Sequence, residues 1–352
     1  MTRLSEQYRP RTTRSLAIVT ATRESSSALS PAVAIERLRM APDRFHEPVL
    51  VTEIVELFST LPEGVVVDAT LGGAGHTESL LAAAPHLRVL GIDRDPAAIE
   101  EARTRLTRFG SRAHVVKATF AEIGDVLERE SSFVKDGPVV GVLMDLGVSS
   151  HQLDEGSRGF SFRADAPLDM RMDPTTGESA ADYLAHVDTH QLARLLRNHG
   201  EGRFAGSIAK SIVDRRPRTT SELSEAVERA VPMAARRRGH VATRVFQALR
   251  VEVNAEEEQL GEGLTAALDA LSVGGVVAVI SYHSGEDRVV KSFFAEQQSG
   301  GCRCTLELGC VCGAIARVQV FKASAQLASL GEVALNPRAR SARLRIARKV
   351  AP

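Results

Sequence analysis

Three acids, a glycine-rich loop and one aromatic ring are spaced so that they can hold a nucleotide-like ligand. The stretch from Val65 to His76 reads VVVDATLGGAGH. A β-branched run, Val65-Val66-Val67, ends in Asp68, and Gly72-Gly73-Ala74-Gly75 follow. Glycines let the backbone turn sharply and let a ligand approach it closely. Thr77 to Leu81 then reads as helix, and strand, glycine loop, helix is the opening of a nucleotide-binding α/β fold. Asp93 stands 18 residues after Gly75, close to the ~20-residue offset at which such folds place a carboxylate on a ribose. These residues imply a ligand with an adenosine-like end. The dinucleotide fingerprint GxGxxG fails, because Glu78 occupies the place of the third glycine. An acid before the loop is typical of S-adenosylmethionine (AdoMet) sites. A tight turn without a ligand is the plain alternative, and Asp68 and Asp93 together argue against it.

Such groups need a parallel sheet to hold them. After Val65–Val67, apolar runs at 88–92, 114–116, 139–144 and 276–280 fit buried parallel strands. Helical stripes alternate with them. HEPVLVTEIVELF, starting at His46, has Thr52 as a cap and Ile54, Val55, Leu57 and Phe58 on one face. Pro96 opens another helix, predicted to run through Arg108, with Ala98, Ile99, Ala102 and Leu106 inward. In doubly wound sheets ligands sit at the carboxyl ends of strands. Gly72–Gly75, Asp93, Phe120 and Asp145 all fall there; Phe120 can lie on an adenine face or belong to the core. From about Leu153 to Arg238 the pattern is helical: Asp188 can cap 189–198, Arg203–Arg215 is a second helix and Ser221 starts a third. Helix Arg288–Phe294 follows the fifth strand, and 317–321 and 343–347 alternate like a closing antiparallel hairpin. The expected organisation is a disordered leader or mis-assigned start at 1–40, an α/β domain at 41–152 and 239–352, and an inserted helical domain at 153–238.

Composition narrows the class. The 352 residues are 43% hydrophobic and 25% charged with zero formal net charge, as in a soluble globular protein. No apolar run approaches the ~20 residues of a membrane helix. Basic residues cluster at Arg215-Arg216-Pro217-Arg218, at Arg236–Arg238 and in the acid-free tail from Asn336 to Lys349. Each cluster is either a solvated surface or a phosphate contact. Cys302, Cys304, Cys310 and Cys312 fall within eleven residues. Their C-x-C spacing is tighter than the C-x₂₋₄-C of structural zinc, so a loop of reduced thiols in the cytoplasm is expected, with a zinc knuckle as the alternative and no metal assigned. Residues 1–40 are rich in Arg, Ser and Thr. They read as disordered; Glu6, Glu24 and Glu36 argue against a transit peptide, and Met40 is the favoured true start.

The stretch after the fourth strand carries a more specific signal. It reads DLGVSSHQ from Asp145 to Gln152, then RGFSFRADAPLDMRMD from Arg158 to Asp173. With HEPVL, VDATLGGAGH, GIDRDP, FQALR, HSGEDR and NPRARSARLR, it closely resembles the RsmH/MraW family from about His46 to Lys349. That family uses AdoMet to methylate N4 of a cytidine in small-subunit ribosomal RNA. The resemblance implies a class I AdoMet-dependent methyltransferase fold: Rossmann-like, with a mostly parallel seven-stranded sheet and an inserted helical domain. It implies that Ala74, Gly75 and His76 hold the methionine end of AdoMet, Asp93 the ribose, and Phe120 and Asp145 the adenine, with Gln152 closing the pocket. It also implies a ribosomal subunit as partner and leaves the oligomeric state open, a homodimer included. Ala74 stands where the family usually has glycine, His151 and Val241 where it has proline, and Gly285 where it has leucine. Gly285 is expected to loosen its loop.

Methyl transfer from a sulfonium is an in-line displacement, so the enzyme supplies position. The cytosine amine is a poor nucleophile, and an acceptor on its N–H groups favours the cationic transition state and takes the proton. The D/N-P-P-Y/F loop of amino-methyltransferases is absent. Asp145, Ser149, Ser150 and His283 are the candidate acceptors. Competing readings are methylation of DNA or protein, an NAD-dependent oxidoreductase, and an RNA-associated scaffold with a vestigial pocket.

Overall fold

Five apolar runs become parallel strands because both of their faces are covered. The computed structural model describes residues 48–135, 137–233, 241–304 and 311–352. The leader, Met40, His46, Arg236–Arg238 and Cys310 lie outside the described residues. The first strand, β1 (Gly64–Asp68), is buried at every position. It is joined by β2 (Leu87–Asp93), β3 (Ala113–Lys117), β4 (Val139–Asp145) and β5 (Val276–Ser281), all parallel. Three later strands, β6 (Val318–Val320), β7 (Gln326–Leu327) and β8 (Arg343–Lys349), pair antiparallel. The order is β3-β2-β1-β4-β5-β8-β6, with β7 beside β8. The sheet path carries the predicted seven strands and β7 is an eighth. β6 and β8 pair as expected, but β7 and a helix separate them in the chain, so they form no hairpin.

Helices cover both faces. On one side lie α1 (Val51–Ser59), α2 (Gly75–Ala83) and α3 (Pro96–Leu106), contributing Ile54, Phe58, Leu80, Leu81, Ala102 and Leu106. On the other, α4 (Ile123–Arg129) contributes Ile123 and Val126 to a second cluster with Val65 and Val67. Each such Leu, Ile, Val or Phe side chain contributes ~2 kcal/mol by leaving water. Thr52 is not the cap of α1. The cap position is Leu50, in left-handed backbone, whose N–H donates to Glu332 at 2.6 Å. Asp95 caps α3, which ends at Leu106 in a 3₁₀ turn rather than reaching Arg108.

After β4 and the short α5 (Ser150–Asp154) the chain leaves the sheet. It forms α6 (Ala180–His186), α7 (Thr189–Asn198), α8 (Ala205–Arg215), α9 (Thr220–Ala230) and α10 (Val241–Val253). Asp188 caps α7 as its type and position predict, accepting from Gln191 N at 2.8 Å. These helices build their own core from Leu184, Leu192, Ile208, Ile212, Leu223 and Phe246, which α10 shares. The α/β layer resumes with α11 (Glu256–Ala270) and α12 (Ser284–Ser299), which covers more than the predicted 288–294. Gly285 lies in the first turn of α12, hydrogen-bonded to His283, not in a loosened loop. Leu330–Leu335 forms a last helix, α13, before β8. The fold is that of a class I AdoMet-dependent methyltransferase, Rossmann-like, with a helical unit between β4 and β5. No described helix is long and apolar enough to cross a membrane.

Most arginines of the basic tail have a partner in this frame, although Arg338, Arg343 and Arg348 remain exposed. Arg345 and Arg343 pair with Asp287, Arg338 with Asp154, and Arg348 lies over the Phe321 ring, while Arg340 is exposed. Arg216 donates to the last carbonyls of α6, at Leu184 and Val187. Arg215 and Arg218 of the same cluster lie on the surface.

Candidate active site

The carboxyl ends of β1, β2, β4 and β5 open into one cleft. Asp68 closes β1 beneath it. Its carboxylate accepts from Thr77 Oγ1 at 2.6 Å and is buried. Burial pushes it up to about 6, against the Thr77 hydrogen bond. Asp68 therefore anchors the loop and α2 from below rather than meeting a ligand. Ala74 is the cap residue of α2, with φ +61°, and its methyl is buried in the sheet core. A left-handed alanine costs ~1–2 kcal/mol, which gives the family's usual glycine its physical reason. Ala74 does not line the cleft; Gly75 and His76 do. A Cβ at Gly75 would press on Pro48 at 3.1 Å, so the loop and the 48–50 segment form one wall. His76 Nε2 donates to Val49 O at 2.8 Å, and burial lowers its pKa. In the neutral ring Nδ1 carries the lone pair, 3.8 Å from Asp145 Oδ2.

Asp93 reaches the cleft from β2 while holding the glycine loop: Oδ2 accepts from Gly72 N at 2.7 Å and Oδ1 from Asp95 N at 2.9 Å. Beside it Asp95, 1% exposed, joins three elements. Oδ1 caps α3 through Ala97 N (3.0 Å), and Oδ2 accepts from Gln152 Nε2 (2.8 Å) and Arg158 Nη1 (3.0 Å). Gln152 lines the cleft, but both ends of its amide are engaged, Oε1 accepting from Ser149 N at 2.9 Å. Arg158 also donates to Met172 O at 2.9 Å. Asn254 accepts from Met172 N and donates to Met170 O, so the PLDMRMD segment is tied down beside the cleft.

Phe120 opens a 3₁₀ turn after β3 and lines the cleft. Its ring lies against Gly263 of α11, where a Cβ would meet Cδ2 at 2.4 Å. Gly263→Ala is expected to push the ring out of place and weaken AdoMet binding about tenfold, or ~1.4 kcal/mol, within the ~1–3 kcal/mol of one base–aromatic stack. Calorimetric titration with AdoMet checks this, and unchanged affinity would refute the role of the ring.

The four candidate acceptors are not equivalent. Ser149 is the cap of α5, its Oγ accepting from Gln152 N at 3.2 Å. His283 is the cap of α12: Nδ1 accepts from Gly285 N and Glu286 N, and Nε2 lies 2.9 Å from Glu286 Oε1. Ser150 opens α5, and its side chain lies outside the described atoms. Asp145, at the end of β4, lines the cleft. Its N–H donates to Thr70 Oγ1, and Oδ1 accepts from Tyr282 O–H at 2.8 Å. Burial pushes its carboxyl up to about 7; the Tyr282 bond opposes this and the Glu286 charge adds to it. Burial also holds the Tyr282 hydroxyl well above its ordinary value, so it stays protonated and donates.

Behind Asp145 lies a buried charge network that the sequence reading did not assemble. Arg250 makes a two-pronged bond to Glu256 (2.7 and 2.8 Å) and stands 3.6 Å from Glu286. Glu286 Oε2 accepts from Tyr282 N at 2.8 Å. Burial raises its carboxyl, but the His283 hydrogen bond, the Arg250 charge and the Tyr282 N–H together hold it below the ordinary value. The FQALR and HSGEDR motifs therefore meet here, and the contacts fix Tyr282. The sequence signal for Tyr282 was its place just after β5; for Asp95 it was the Asp-Pro pair that opens α3.

A model of the MraW methylase family matches residues 43–350. The chain belongs to the MraW methylase family. It is 46% identical over 312 residues to "Ribosomal RNA small subunit methyltransferase H" of Heliobacterium modesticaldum, covering 87% of this chain and 98% of the relative. The protein of the same name in Beutenbergia cavernae is 49% identical over 318 residues, covering 87% and 92%. Among solved structures, a putative rRNA methylase from Clostridium thermocellum aligns at 14% identity with a TM-score of 0.39, covering 86% of this chain and 98% of its own. A putative methyltransferase from Streptococcus mutans in complex with SAH aligns at 11% identity with a TM-score of 0.40, covering 85% and 97%. This MraW methylase is an AdoMet-dependent methyltransferase. The matched span contains every cleft residue described above.

Proposed function

We propose that this methylase transfers the methyl group of AdoMet to the exocyclic N4 of a cytidine in small-subunit ribosomal RNA. The observation that carries this reading is the match to proteins named ribosomal RNA small subunit methyltransferase H across both the cleft and the helical unit. In this reading Gly75 and His76, with Ala74 shaping the turn, hold the methionine end, Asp93 the ribose and Phe120 the adenine, while Asp145, expected beside the adenine, serves the methyl acceptor instead. Gln152, fixed by Asp95, closes the pocket. The fit rests on Asp93, Phe120, Gly75 and Asp145 lining a single cleft. AdoMet supplies an electrophilic methyl carbon; the chain supplies orientation.

Asp145 is the proton acceptor. It accepts a hydrogen bond from the cytosine amine, which raises electron density on N4 as N4 attacks the methyl carbon and becomes cationic, and it takes the proton. Tyr282 fixes which carboxylate oxygen faces the base. His283 and Ser149 act as helix caps that shape this wall, not as bases. The target cytidine must leave its stack to reach the cleft, so it is single-stranded or flipped.

The helical unit built by α6 to α10 is the substrate-facing part, with Arg215 and Arg218 on phosphates. The substrate is the RNA within a ribosomal subunit and the protein is cytoplasmic. The test is methyl transfer to subunits and to naked ribosomal RNA from cells lacking this protein, with mass spectrometry of the nucleosides. N4-methylcytidine is expected, and Asp93→Ala should abolish it by losing both the ribose contact and the hold on Gly72. AdoMet binding without transfer to either RNA would refute the substrate and leave the fold standing.

A further inference from the structure

The cysteine loop takes no part in the cleft. It leaves α12 at Gly300 and returns at β6, and its base is closed. Gly300 has φ +62°, and a Cβ there would lie 2.4 Å from Ile315 O. Cys302 N donates to Ser299 O at 3.1 Å and Arg317 N to Gln297 O at 2.9 Å. Within this closed excursion the Sγ atoms of Cys302, Cys304 and Cys312 lie within 4.8 Å of one another. A tetrahedral zinc with Zn–S bonds of ~2.3 Å spaces its sulfurs ~3.8 Å apart.

Apolar burial does not gather them, for Cys302 and Cys304 are half-buried and Cys312 is exposed. A backbone amide reaches one of the sulfurs instead. Cys304 N donates to Cys302 Sγ at 3.5 Å. The tight C-x-C spacing is no obstacle, because the ligands come from both arms of the loop. We propose that Cys302, Cys304 and Cys312 form a structural zinc site that clips the loop between α12 and β6. A set of thiolates favours zinc over magnesium or calcium. One further donor completes four-coordination. Binding displaces the thiol protons to solvent and involves no oxidation or reduction.

The full chain, purified under reducing conditions, should carry about one zinc per molecule by elemental analysis. Stripped with a chelator and titrated with cobalt(II), it should show intense thiolate-to-cobalt charge-transfer absorption that zinc abolishes. Cys304→Ser should weaken zinc by more than ~100-fold, beyond the loss given by outer-shell partners, and Cys312→Ser should do the same. AdoMet binding, read in parallel, should persist in both variants, since the cleft is distant in the fold and uses none of these residues. The chelated wild-type chain should also keep AdoMet binding while its unfolding temperature falls. A reduced wild-type chain that takes up no cobalt(II), or a Cys304→Ser variant that retains its full zinc content, would overturn the site.

Discussion

Asp145→Asn is expected to lower the rate of methyl transfer by ~10²–10⁴-fold, the range supplied by a positioned general base, while AdoMet still binds. The amide keeps an oxygen for Tyr282 O–H, which donates to Asp145 Oδ1 at 2.8 Å in the wild type, but it cannot take a proton. The wild-type rate should rise as pH passes through about 7, where the buried carboxyl ionises, and the variant should lose this limb. Single-turnover rates across that range provide the check. A variant with undiminished rate and the wild-type profile would exclude Asp145 as the acceptor.

Stability should move the other way. The carboxyl titrates near 3.8 in the unfolded chain and at about 7 in the folded one. Between these values the folded state holds the extra proton, so stability is fully present below the lower value and is lost as pH rises through the upper one. Asp145→Asn should therefore be more stable than wild type above about pH 8, by on the order of 2 kcal/mol, with the difference shrinking below about pH 5. Urea unfolding at the two pH values measures it. An ionised carboxyl is thus retained at a cost in stability, which suits a residue kept for chemistry.

Asp95→Ala should destabilise the protein by about 3–5 kcal/mol. Its carboxylate is buried, and removing it leaves the Arg158 guanidinium, itself 12% exposed, without its charge partner. Breaking one side of a buried pair costs ~3–5 kcal/mol, and the lost cap of α3 adds ~1 kcal/mol. Arg158→Ala should cost less, because it removes the buried charge together with the bond. The double variant should be far less destabilised than the sum, since one interaction is deleted twice. Gln152 also loses its anchor, so AdoMet affinity should fall in Asp95→Ala. Chemical denaturation of the three variants gives the coupling. A cost below ~1 kcal/mol for Asp95→Ala would mean that this contact does not join the helical unit to the sheet.

The features legible in sequence were those encoded locally. Buried parallel strands read as apolar runs because both faces are covered, and Val65–Val67, Val139–Met144 and Val276–Ile280 lie inside observed strands. Asp188 was legible as a cap because its partner, Gln191 N, is three residues away. Thr52 failed as a cap because α1 is started by a distant group, the Glu332 carboxylate. The glycine loop, Asp93, Phe120 and Asp145 were legible as a group because a doubly wound sheet brings strand ends to one edge.

What each of those side chains does was decided by tertiary structure. Asp145 and Tyr282 are 137 residues apart, and Asp95 and Gln152 are 57 apart. Ser149 and His283 looked like bases until the helices they cap were in view. Asp93 looked like a ribose ligand alone until Gly72 N was seen on its carboxylate. The cysteine spacing argued against a metal until the two arms of the loop brought three sulfurs together. Hydrophobic periodicity records which face a local segment buries, so the sequence determined the elements, their order and the edge of the sheet where a ligand sits. The titration and hydrogen bonding of a buried group depend on what long-range packing sets against it, and only the folded chain decided which acid can take a proton.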